Sequence, residues 1–362
     1  MAYAKHFPSS YAAIPDPAGL AASIKRWGVE LGFQQVGIAD TELSEAERHL
    51  LDWLQAGFHG EMGYMERHGM KRSRPAELKP GTIRIISASM DYLPENRKAM
   101  AAHLDHPLAA YISRYALGRD YHKLLRARLK KLAERIEAAT GGFGYRVFTD
   151  SAPVLEKALA AKAGLGWIGK HSNLISRNAG SWFFLGEIYT DLPLAPDQPA
   201  KNNCGQCSAC LDACPTRAIV APYRVDARRC IAYLTIELRG RIPVEFRAAI
   251  GNRIYGCDDC QIVCPWNRFA QLTREQDFLP RHGLNTAQLV ELFAWDEKTF
   301  LEKTEGSAIR RIGYESWSRN IAVALGNAKT CPAVIAALRT REKNSSELLR
   351  EHVLWALEQH RS

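Results

Sequence analysis

The feature that most constrains this chain is the run NNCGQCSACLDACPTRAIVAP, in which four cysteines stand close together. They follow the spacing C-x2-C-x2-C-x3-C-P, with which soluble proteins hold 4Fe–4S clusters. The ligands would be Cys204, Cys207, Cys210 and Cys214. Two intervening residues let successive thiolates reach different irons, and the proline turns the chain away. The run therefore predicts a cluster-binding fold.

A second run, CDDCQIVCPWN, repeats the end of the first and lacks its first cysteine. Cys230 is the available replacement. In bacterial ferredoxins with two clusters, the fourth cysteine of each run serves the other cluster. We therefore predict that Cys204, Cys207 and Cys210 hold one cluster with Cys264. The second cluster would be held by Cys257, Cys260, Cys230 and Cys214.

Structural zinc is the alternative, because zinc sites also use C-x2-C pairs. Zinc closes with four ligands, and three cysteines at x2 spacing with a mirrored second run are not typical of its sites. Of the nine cysteines, eight fall in these clusters. That pattern favours metal ligation in a reducing compartment over disulfides. Cys331 stands apart and is predicted to be a small buried hydrophobic residue.

The 362 residues are enough for two or three domains. Helical and strand-like segments mix without regular βα alternation, so we predict the α+β class. Residues 1–195 would form a mixed catalytic domain, 196–270 a ferredoxin-like double-cluster module, and 271–362 a short all-α, HEAT-like region. No apolar run is long enough to cross a bilayer, and residues 1–17 lack an export signal. We expect a cytoplasmic protein without membrane contact.

The net charge of +9 suits a polyanionic partner without proving one. The basic segments are HGMKRSRPAELK, KLLRARLKK, RGRIPVEFR and RTREK. Each alone is as consistent with a solvated face as with phosphate contact.

Two motifs in the first region suggest chemistry that their context excludes. GLGWIGK contains G-x-G-x-x-G and nearly a Walker A loop, but a helix precedes the glycines and an extended segment follows them. A phosphate-binding loop needs the opposite order, so NAD and ATP are rejected. DYHKLL begins like the D-x-H-x-x-G signature of cobalt ligation through histidine, but Leu125 takes the glycine position. His122 is therefore expected to be a surface or supporting residue.

Several long motifs together resemble one family. They are YISRYALGRDYH, VFTDSAPVLEKALAAKAGLGWIGKHSNLIS, GSWFFLGEI and the double-cluster module with CIAYLTIELRGRIP. The chain closely resembles the epoxyqueuosine reductases, cobalamin-dependent iron–sulfur enzymes of tRNA modification that are related to reductive dehalogenases. The resemblance covers residues 20–330.

The resemblance implies that the first region binds cobalamin in base-off form, resting as cob(II)alamin, beside two 4Fe–4S clusters. The substrate would be epoxyqueuosine in the anticodon stem-loop of tRNA, reduced to queuosine at the wobble position. An external one-electron donor such as ferredoxin or flavodoxin would supply electrons, and the protein would be a monomer. Removing the epoxide oxygen as water takes two electrons and two protons, and iron–sulfur clusters deliver electrons singly.

The resemblance also implies roles for single residues. Asp150 matches the proton donor, and burial beside the cofactor would raise its pKa. Its residue-level alternative is a helix N-cap before Pro153. Lys157, two helical turns further, would share a helical face with Asp150 and contact substrate. The remaining candidates for cobalamin contacts are Arg72, Ser73, Ser113, Leu174, Leu185, Cys257 and Asp258, each of which has ordinary packing or solvation as its alternative.

Two other functions fit part of the sequence. A reductive dehalogenase shares the cofactors, but usually carries a twin-arginine signal and has no use for a basic surface. A non-catalytic electron-transfer protein would need the clusters alone. About two hundred residues precede the cysteines, which is too many for a ferredoxin.

Overall fold

The computed structural model describes residues 4–5, 16–343 and 345–361. The prediction that residues 1–17 lack an export signal falls mostly outside the described residues. The strands are β1 (Ala4–Lys5), β2 (Gln35–Ala39), β3 (Arg84–Asp91), β4 (Tyr111–Ile112), β5 (Tyr145–Phe148), β6 (Trp167–Ile168), β7 (Leu174–Ile175), β8 (Phe183–Thr190), β9 (Ile219–Ala221), β10 (Arg224–Val225) and β11 (Arg253–Tyr255).

The helices are α1 (Pro17–Glu30), α2 (Ser44–Gln55), α3 (Pro75–Leu78), α4 (Arg97–Leu104), α5 (Tyr121–Thr140), α6 (Glu156–Lys162), α7 (Ala209–Asp212), α8 (Ile231–Ile236), α9 (Val244–Ile250), α10 (Asp259–Ile262), α11 (Leu289–Phe293), α12 (Glu297–Lys303), α13 (Gly313–Gly326), α14 (Pro332–Glu342) and α15 (Glu347–Glu358). Helices and strands follow one another without regular βα alternation. The predicted α+β class is confirmed.

The chain folds into two compact units that interleave along the sequence. Unit one contains Met1–Tyr92, Tyr121–Cys207 and Pro265–Gln271, and unit two contains Leu93–Asp120, Ser208–Cys264 and Leu272–Ser362. The two units differ from the three consecutive regions 1–195, 196–270 and 271–362 that we expect from the sequence. Those regions remain a prediction about functional modules. Composition marks the Pro-rich segment before the cysteines as a linker. Composition does not indicate which distant segments pack together, and this long-range packing divides the cysteine module between the two units.

A five-stranded antiparallel sheet forms the core of unit one, in the order β1-β5-β8-β3-β2. β3 and β8 pair from Arg84 opposite Thr190 to Asp91 opposite Phe183. Every residue of β8 is buried. A strand that helices cover on both faces is expected to be apolar along almost its whole length. The sequence of β8, FFLGEIYT, is mostly apolar.

The side chains of β8 alternate between two helical layers. Leu185 packs in one apolar cluster with residues of α6. On the opposite face Gly186 approaches α5, where an added Cβ would lie 2.7 Å from the Leu129 side chain. On β2, an added Cβ at Gly37 would lie 2.0 Å from the carbonyl oxygen of Ala163, just after α6. A larger residue at Gly37 would therefore push the end of α6 away from the sheet.

Unit two is mostly helical. The central helix α13, GYESWSRNIAVALG, is buried over most of its length and packs against α15, α11 and α9. Trp317 and Ile321 of α13 meet Val353 of α15 in the core of this unit. The segments predicted as helices after residue 271 are helical. Within the described ranges, no helix has both the length and the hydropathy to cross a membrane.

Candidate active site and cluster ligands

Unit two brings together the four cysteines predicted to hold the second cluster. Burial raises the pKa of Cys230, Cys257 and Cys260, and the charge of a neighbouring cysteine raises it further. Cys214 acts on Cys230, and Cys230 acts on Cys257 and Cys260. Asp259 acts more strongly than Cys230 on Cys257, and Cys210 also acts on Cys260. Cys230 is therefore within the range of electrostatic interaction with the other three thiols. A buried thiol with a raised pKa keeps its proton until a metal displaces it.

The cysteines predicted for the first cluster divide between the units. Cys204 and Cys207 belong to unit one, whereas Cys210 and Cys264 belong to unit two and are buried. The ligand set of the first cluster therefore remains a prediction. Cys331 precedes α14 and packs, partly buried, against the apolar core of unit two.

The loop between the first two cysteines is closed by a lysine. The backbone N–H of Cys207 donates a 3.0 Å hydrogen bond to the carbonyl oxygen of Cys204. Lys170 Nζ donates to the carbonyl oxygens of Gly205 and Cys207, at 2.7 and 2.9 Å. Lys170 is the last residue of GLGWIGK. Its ammonium group therefore supports the cysteine loop.

Asp150 lies in the loop between β5 and α6. Its φ is +50°, in the left-handed region that non-glycine residues seldom adopt. α6 begins only at Glu156, after Leu155 as N-cap. The helix N-cap alternative for Asp150 is therefore wrong. The expectation that Asp150 and Lys157 share a helical face is also wrong, because the five residues after Asp150 are not helical.

The Asp150 side chain is held by the start of α5. The hydroxyl of Tyr121 donates a 2.5 Å hydrogen bond to Oδ2 of Asp150, and Nε2 of His122 lies 3.1 Å from the same oxygen. Tyr121 stacks on Phe184 of β8 with ring centroids 3.9 Å apart. The Asp150 side chain is 54% exposed. The protein's own side chains therefore do not bury it, and the burial that we expect to raise its pKa would have to come from the cofactor. His122 supports Asp150, in keeping with its expected supporting role.

Two glutamates beside Asp150 were not predicted from the sequence. Oε1 of Glu156 accepts a 2.5 Å hydrogen bond from the Asp150 backbone N–H. The Glu156 and Glu187 carboxyl groups interact with each other, and no described group donates a hydrogen bond to either oxygen of Glu187. Burial, and then the charge of Asp150, raises the pKa of Glu156 to about 7. Burial, and then the charge of Glu156, raises the pKa of Glu187 well above its ordinary value. A glutamate within the apolar strand FFLGEIYT is the signal that would have pointed to Glu187, but not to its partner Glu156.

Leu174 and Leu185, predicted to lie against the cofactor, share one apolar cluster with Ala160 of α6. Lys157, also on α6, lies near His171. Burial, and then the charge of Lys157, lowers the pKa of His171 to about 4. The order α6, β6, β7 confirms that GLGWIGK follows a helix, which excludes a phosphate-binding loop.

Buried polar atoms without partners occur on the strands around α6. In the described part of the chain, no hydrogen-bond partner is present for Nε1 of Trp167, Nε2 of His171, or Oγ of Ser87 and Ser89. Ser89 lies opposite Leu185 in the β3–β8 register. Native proteins pair most buried polar atoms. This region therefore offers hydrogen-bonding groups suited to a polar ligand.

Arg72 and Ser73 follow one another but have different surroundings. Arg72 is buried and donates a 2.9 Å hydrogen bond to the carbonyl oxygen of Tyr64. Burial lowers the pKa of Arg72, and the charge of nearby Glu156 opposes that shift. The Ser73 hydroxyl donates a 2.6 Å hydrogen bond to Glu47. Arg72 therefore joins the groups around Glu156, whereas the Ser73 side chain is engaged elsewhere.

In unit two, Ser113 and Asp258 are in direct contact. Asp258 accepts hydrogen bonds from the Ser113 hydroxyl at 2.6 Å, and from the Tyr111 hydroxyl and the Arg114 backbone N–H at 2.9 Å. Burial raises the pKa of Asp258, and these hydrogen bonds oppose the rise. The network fixes the backbone next to Cys257.

Part of the positive charge in the basic segments is structural. Arg247 is buried and forms a 2.8 Å ion pair with Glu351. Arg74 forms a 2.9 Å ion pair with Glu47, and Arg341 donates to two backbone carbonyl oxygens. The net charge of +9 therefore overstates the charge available to a nucleic acid.

Two family models match the chain. The model described as "4Fe-4S double cluster binding domain" matches residues 203–267, and the one described as "Epoxyqueuosine reductase QueG, DUF1730" matches residues 72–151. The first spans both cysteine runs and supports iron–sulfur clusters over the zinc alternative.

Similar proteins carry the same description. The chain is 64% identical to an epoxyqueuosine reductase of Pseudomonas aeruginosa, with 96% of each chain covered. It is 61% identical to one of Escherichia coli K12, covering 94% of this chain and 89% of the other.

Solved structures agree with the computed one. An epoxyqueuosine reductase from Bacillus subtilis, with its catalytic aspartate loop swung out of the active site, has a TM-score of 0.84 at 27% identity, covering 95% of this chain and 91% of the other. An epoxyqueuosine reductase solved with an epoxyqueuosine-modified tRNA-Tyr stem loop has a TM-score of 0.80 at 25% identity, covering 96% of this chain and all of the other.

Proposed function

Because the chain belongs to the epoxyqueuosine reductase family, we propose that it reduces epoxyqueuosine to queuosine at the wobble position of tRNA. The observation that carries this proposal is 64% identity over 96% of the chain, beyond the level at which only a fold would be shared. The relative that was solved with a modified tRNA stem loop supports tRNA as the partner. The modified base would leave the anticodon stack to reach the active site.

The double-cluster module would carry the electrons. One cluster would be held by Cys204, Cys207, Cys210 and Cys264, and the other by Cys214, Cys230, Cys257 and Cys260. The interactions of Cys230 with Cys214, Cys257 and Cys260 support the second set, and Cys210 of the first set also acts on Cys260. An external ferredoxin or flavodoxin would supply electrons one at a time.

Cobalamin fits the residues around α6. Its macrocycle is flat and largely apolar and carries amide groups at its edge, which suits Leu174 and Leu185 together with unpaired donors such as His171 and Trp167. When bound in base-off form, and resting as cob(II)alamin, it would supply the two-electron reduction of the epoxide carbon. Arg72 would contact its side chains.

Ser73, Ser113, Cys257 and Asp258 remain weaker cofactor contacts. The Ser73, Ser113 and Asp258 side chains already have protein partners, which leaves mainly their backbone groups to meet a ligand.

Asp150 would be the general acid. Its exposed carboxyl is held in a defined position by Tyr121 and Glu156, and a positioned acid contributes roughly 10²- to 10⁴-fold to a rate. Lys157 would contact the substrate from α6. The protein would act as a cytoplasmic monomer.

The test is conversion of epoxyqueuosine in tRNA from a strain that lacks this gene. Anaerobically purified protein should contain two 4Fe–4S clusters, show the spectrum of cobalamin, and form queuosine. Protein with both cofactors that leaves epoxyqueuosine unchanged would overturn the proposal. Protein with both clusters but no affinity for cobalamin would point to electron transfer alone.

A further inference from the structure

Glu187 lies in the middle of β8, where a charged side chain is least expected. Its exposed fraction is 0%, and its register partners are Ser87 on β3 and Phe148 on β5. No described group donates a hydrogen bond to either carboxyl oxygen. A buried carboxylate without a donor is strongly disfavoured. Glu187 therefore holds a proton in the folded protein.

The Glu156 carboxyl group interacts with that of Glu187. Oε1 of Glu156 already accepts the backbone N–H of Asp150, whereas no described group donates to Glu187, so Glu187 is the member of the pair that keeps the proton. Two interacting carboxyl groups titrate as a unit, and their protons are released over a broad range of pH. The pair therefore stores protons inside unit one.

The stored protons lie next to the candidate acid. Glu156 receives the backbone N–H of Asp150, so its carboxyl group touches the loop that carries the Asp150 side chain. The charge of Asp150 acts on Glu156 and Glu187 alike. The remaining titratable or charged groups that interact with the pair are His122 on α5, Arg72 before α3, and Tyr189 on β8.

We propose that Glu187 and Glu156 form an internal proton store that resupplies Asp150 during the reduction of the substrate. This inference rests on the proposed function. Loss of the epoxide oxygen as water breaks two C–O bonds and consumes two electrons and two protons, while Asp150 can donate only one proton at a time. The second proton passes from the Glu187 O–H to the Glu156 carboxyl, and from there to the Asp150 carboxyl once that side chain turns from Tyr121 toward Glu156. Solvent refills the store after the product leaves.

The pair is needed because substrate binding would cover Asp150. Its side chain is open to solvent in the free protein, but a base seated over it would displace that solvent. Glu156 is bonded to the loop through the backbone N–H of Asp150, and Glu187 is buried within the sheet, so neither depends on the solvent at the Asp150 side chain.

The decisive variant is Glu187→Gln. Glutamine has the same shape and no net charge, as the protonated glutamate does, so the fold and cofactors should be retained. We expect kcat to fall roughly 100-fold, the lower end for lost acid–base catalysis. The fall of kcat with rising pH should begin at a lower pH than in the wild type. Glu134→Gln, on the exposed face of α5, is the matched control and should leave kcat unchanged.

A second readout does not depend on turnover. Infrared spectra of the purified, cluster-loaded protein at neutral pH should contain the C=O stretch of a protonated carboxyl group. Its intensity should decrease in Glu187→Gln and persist in Glu134→Gln. Retention of that band together with unchanged kcat and pH profile in Glu187→Gln would refute the store.

His122 is the competing proton source, because it contacts Asp150 from the opposite side. A large loss of kcat in His122→Gln, combined with a normal Glu187→Gln variant, would assign the second proton to His122 and overturn our proposal. An inactive wild type with both cofactors would instead count against the proposed function. The infrared band would still test the protonation of Glu187.

Discussion

Tyr121 donates its hydroxyl proton to Oδ2 of Asp150 across 2.5 Å, while its ring stacks on Phe184 of the central strand. This contact connects a surface loop with left-handed backbone geometry to the most deeply buried strand of unit one. The loop is therefore held in place without being part of a helix.

Asp150→Asn should retain both cofactors and lose most turnover, because asparagine preserves the shape but has no carboxyl proton to donate. A loss of roughly 100-fold or more is expected for a general acid. The check is queuosine formation alongside iron and cobalamin content. Asp52→Asn, on exposed α2, is the control. Normal turnover in Asp150→Asn would remove this residue from the mechanism.

Tyr121→Phe should lower turnover by a smaller factor than Asp150→Asn. The ring keeps its stacking on Phe184, and only the hydrogen bond to the loop is lost, which is worth about 1.5–3 kcal/mol when the partner is charged. Measurement of kcat with unchanged cofactor content tests this. An effect as large as that of Asp150→Asn would give Tyr121 a chemical role of its own.

The buried glutamates should make unit one less stable as pH rises. The pKa of Glu156 is about 7 in the folded protein and ordinarily 4.5, so between these values the folded state holds a proton that the unfolded chain has released. The free energy of unfolding therefore decreases through this window, by up to roughly 3 kcal/mol. As the pH rises from about 5 to 8, the Tm of the Glu156→Gln variant should decrease less than the Tm of the wild type. Parallel Tm curves would contradict this expectation.

Cys264→Ala should disturb the cluster held by Cys204, Cys207 and Cys210, whereas Cys230→Ala should disturb the other. Each variant loses one of four thiolate ligands, so one cluster should become unstable while the second persists. Iron content and the paramagnetic resonance of the reduced protein distinguish the two. If Cys264→Ala affected only the cluster of Cys230, the crossed ligand assignment would be wrong.

Lys170→Met should shorten the lifetime of the first cluster in air or in the presence of a chelator. The variant loses both hydrogen bonds to the cysteine loop but keeps a side chain of similar length. Decay of the visible absorption of the clusters measures this, with Lys201→Met as an exposed control. Equal decay rates would show that the loop is held without Lys170.

Local patterns predicted the elements well. α1 has helical apolar spacing, β8 is a nearly continuous apolar run, and α5 has a charged amphipathic pattern, so each of these segments indicates its own structure. These segments carry their periodicity within a few residues. The cysteine spacing likewise predicts Cys230 as a neighbour of Cys257 and Cys260, and the charge of Cys230 acts on both.

Features set by distant packing were not predictable. The sequence around Pro153 suggests a helix that begins just after Asp150, whereas α6 begins at Glu156. The hydrogen bond from the Asp150 backbone N–H to Glu156, which the sequence does not reveal, holds the loop between them. The pairing of Glu156 with Glu187 depends on β8 lying beneath α6. Two glutamates thirty-one positions apart carry no common pattern in the chain.

The interleaving of the two units has a consequence for biosynthesis. Unit one receives its last segment, Pro265–Gln271, only after the ribosome has made two of the three segments of unit two. Cys204 and Cys207 therefore leave the ribosome well before the fold around them can be completed. Iron delivery should accordingly follow synthesis of the chain past residue 271, and nascent chains arrested earlier should not retain iron.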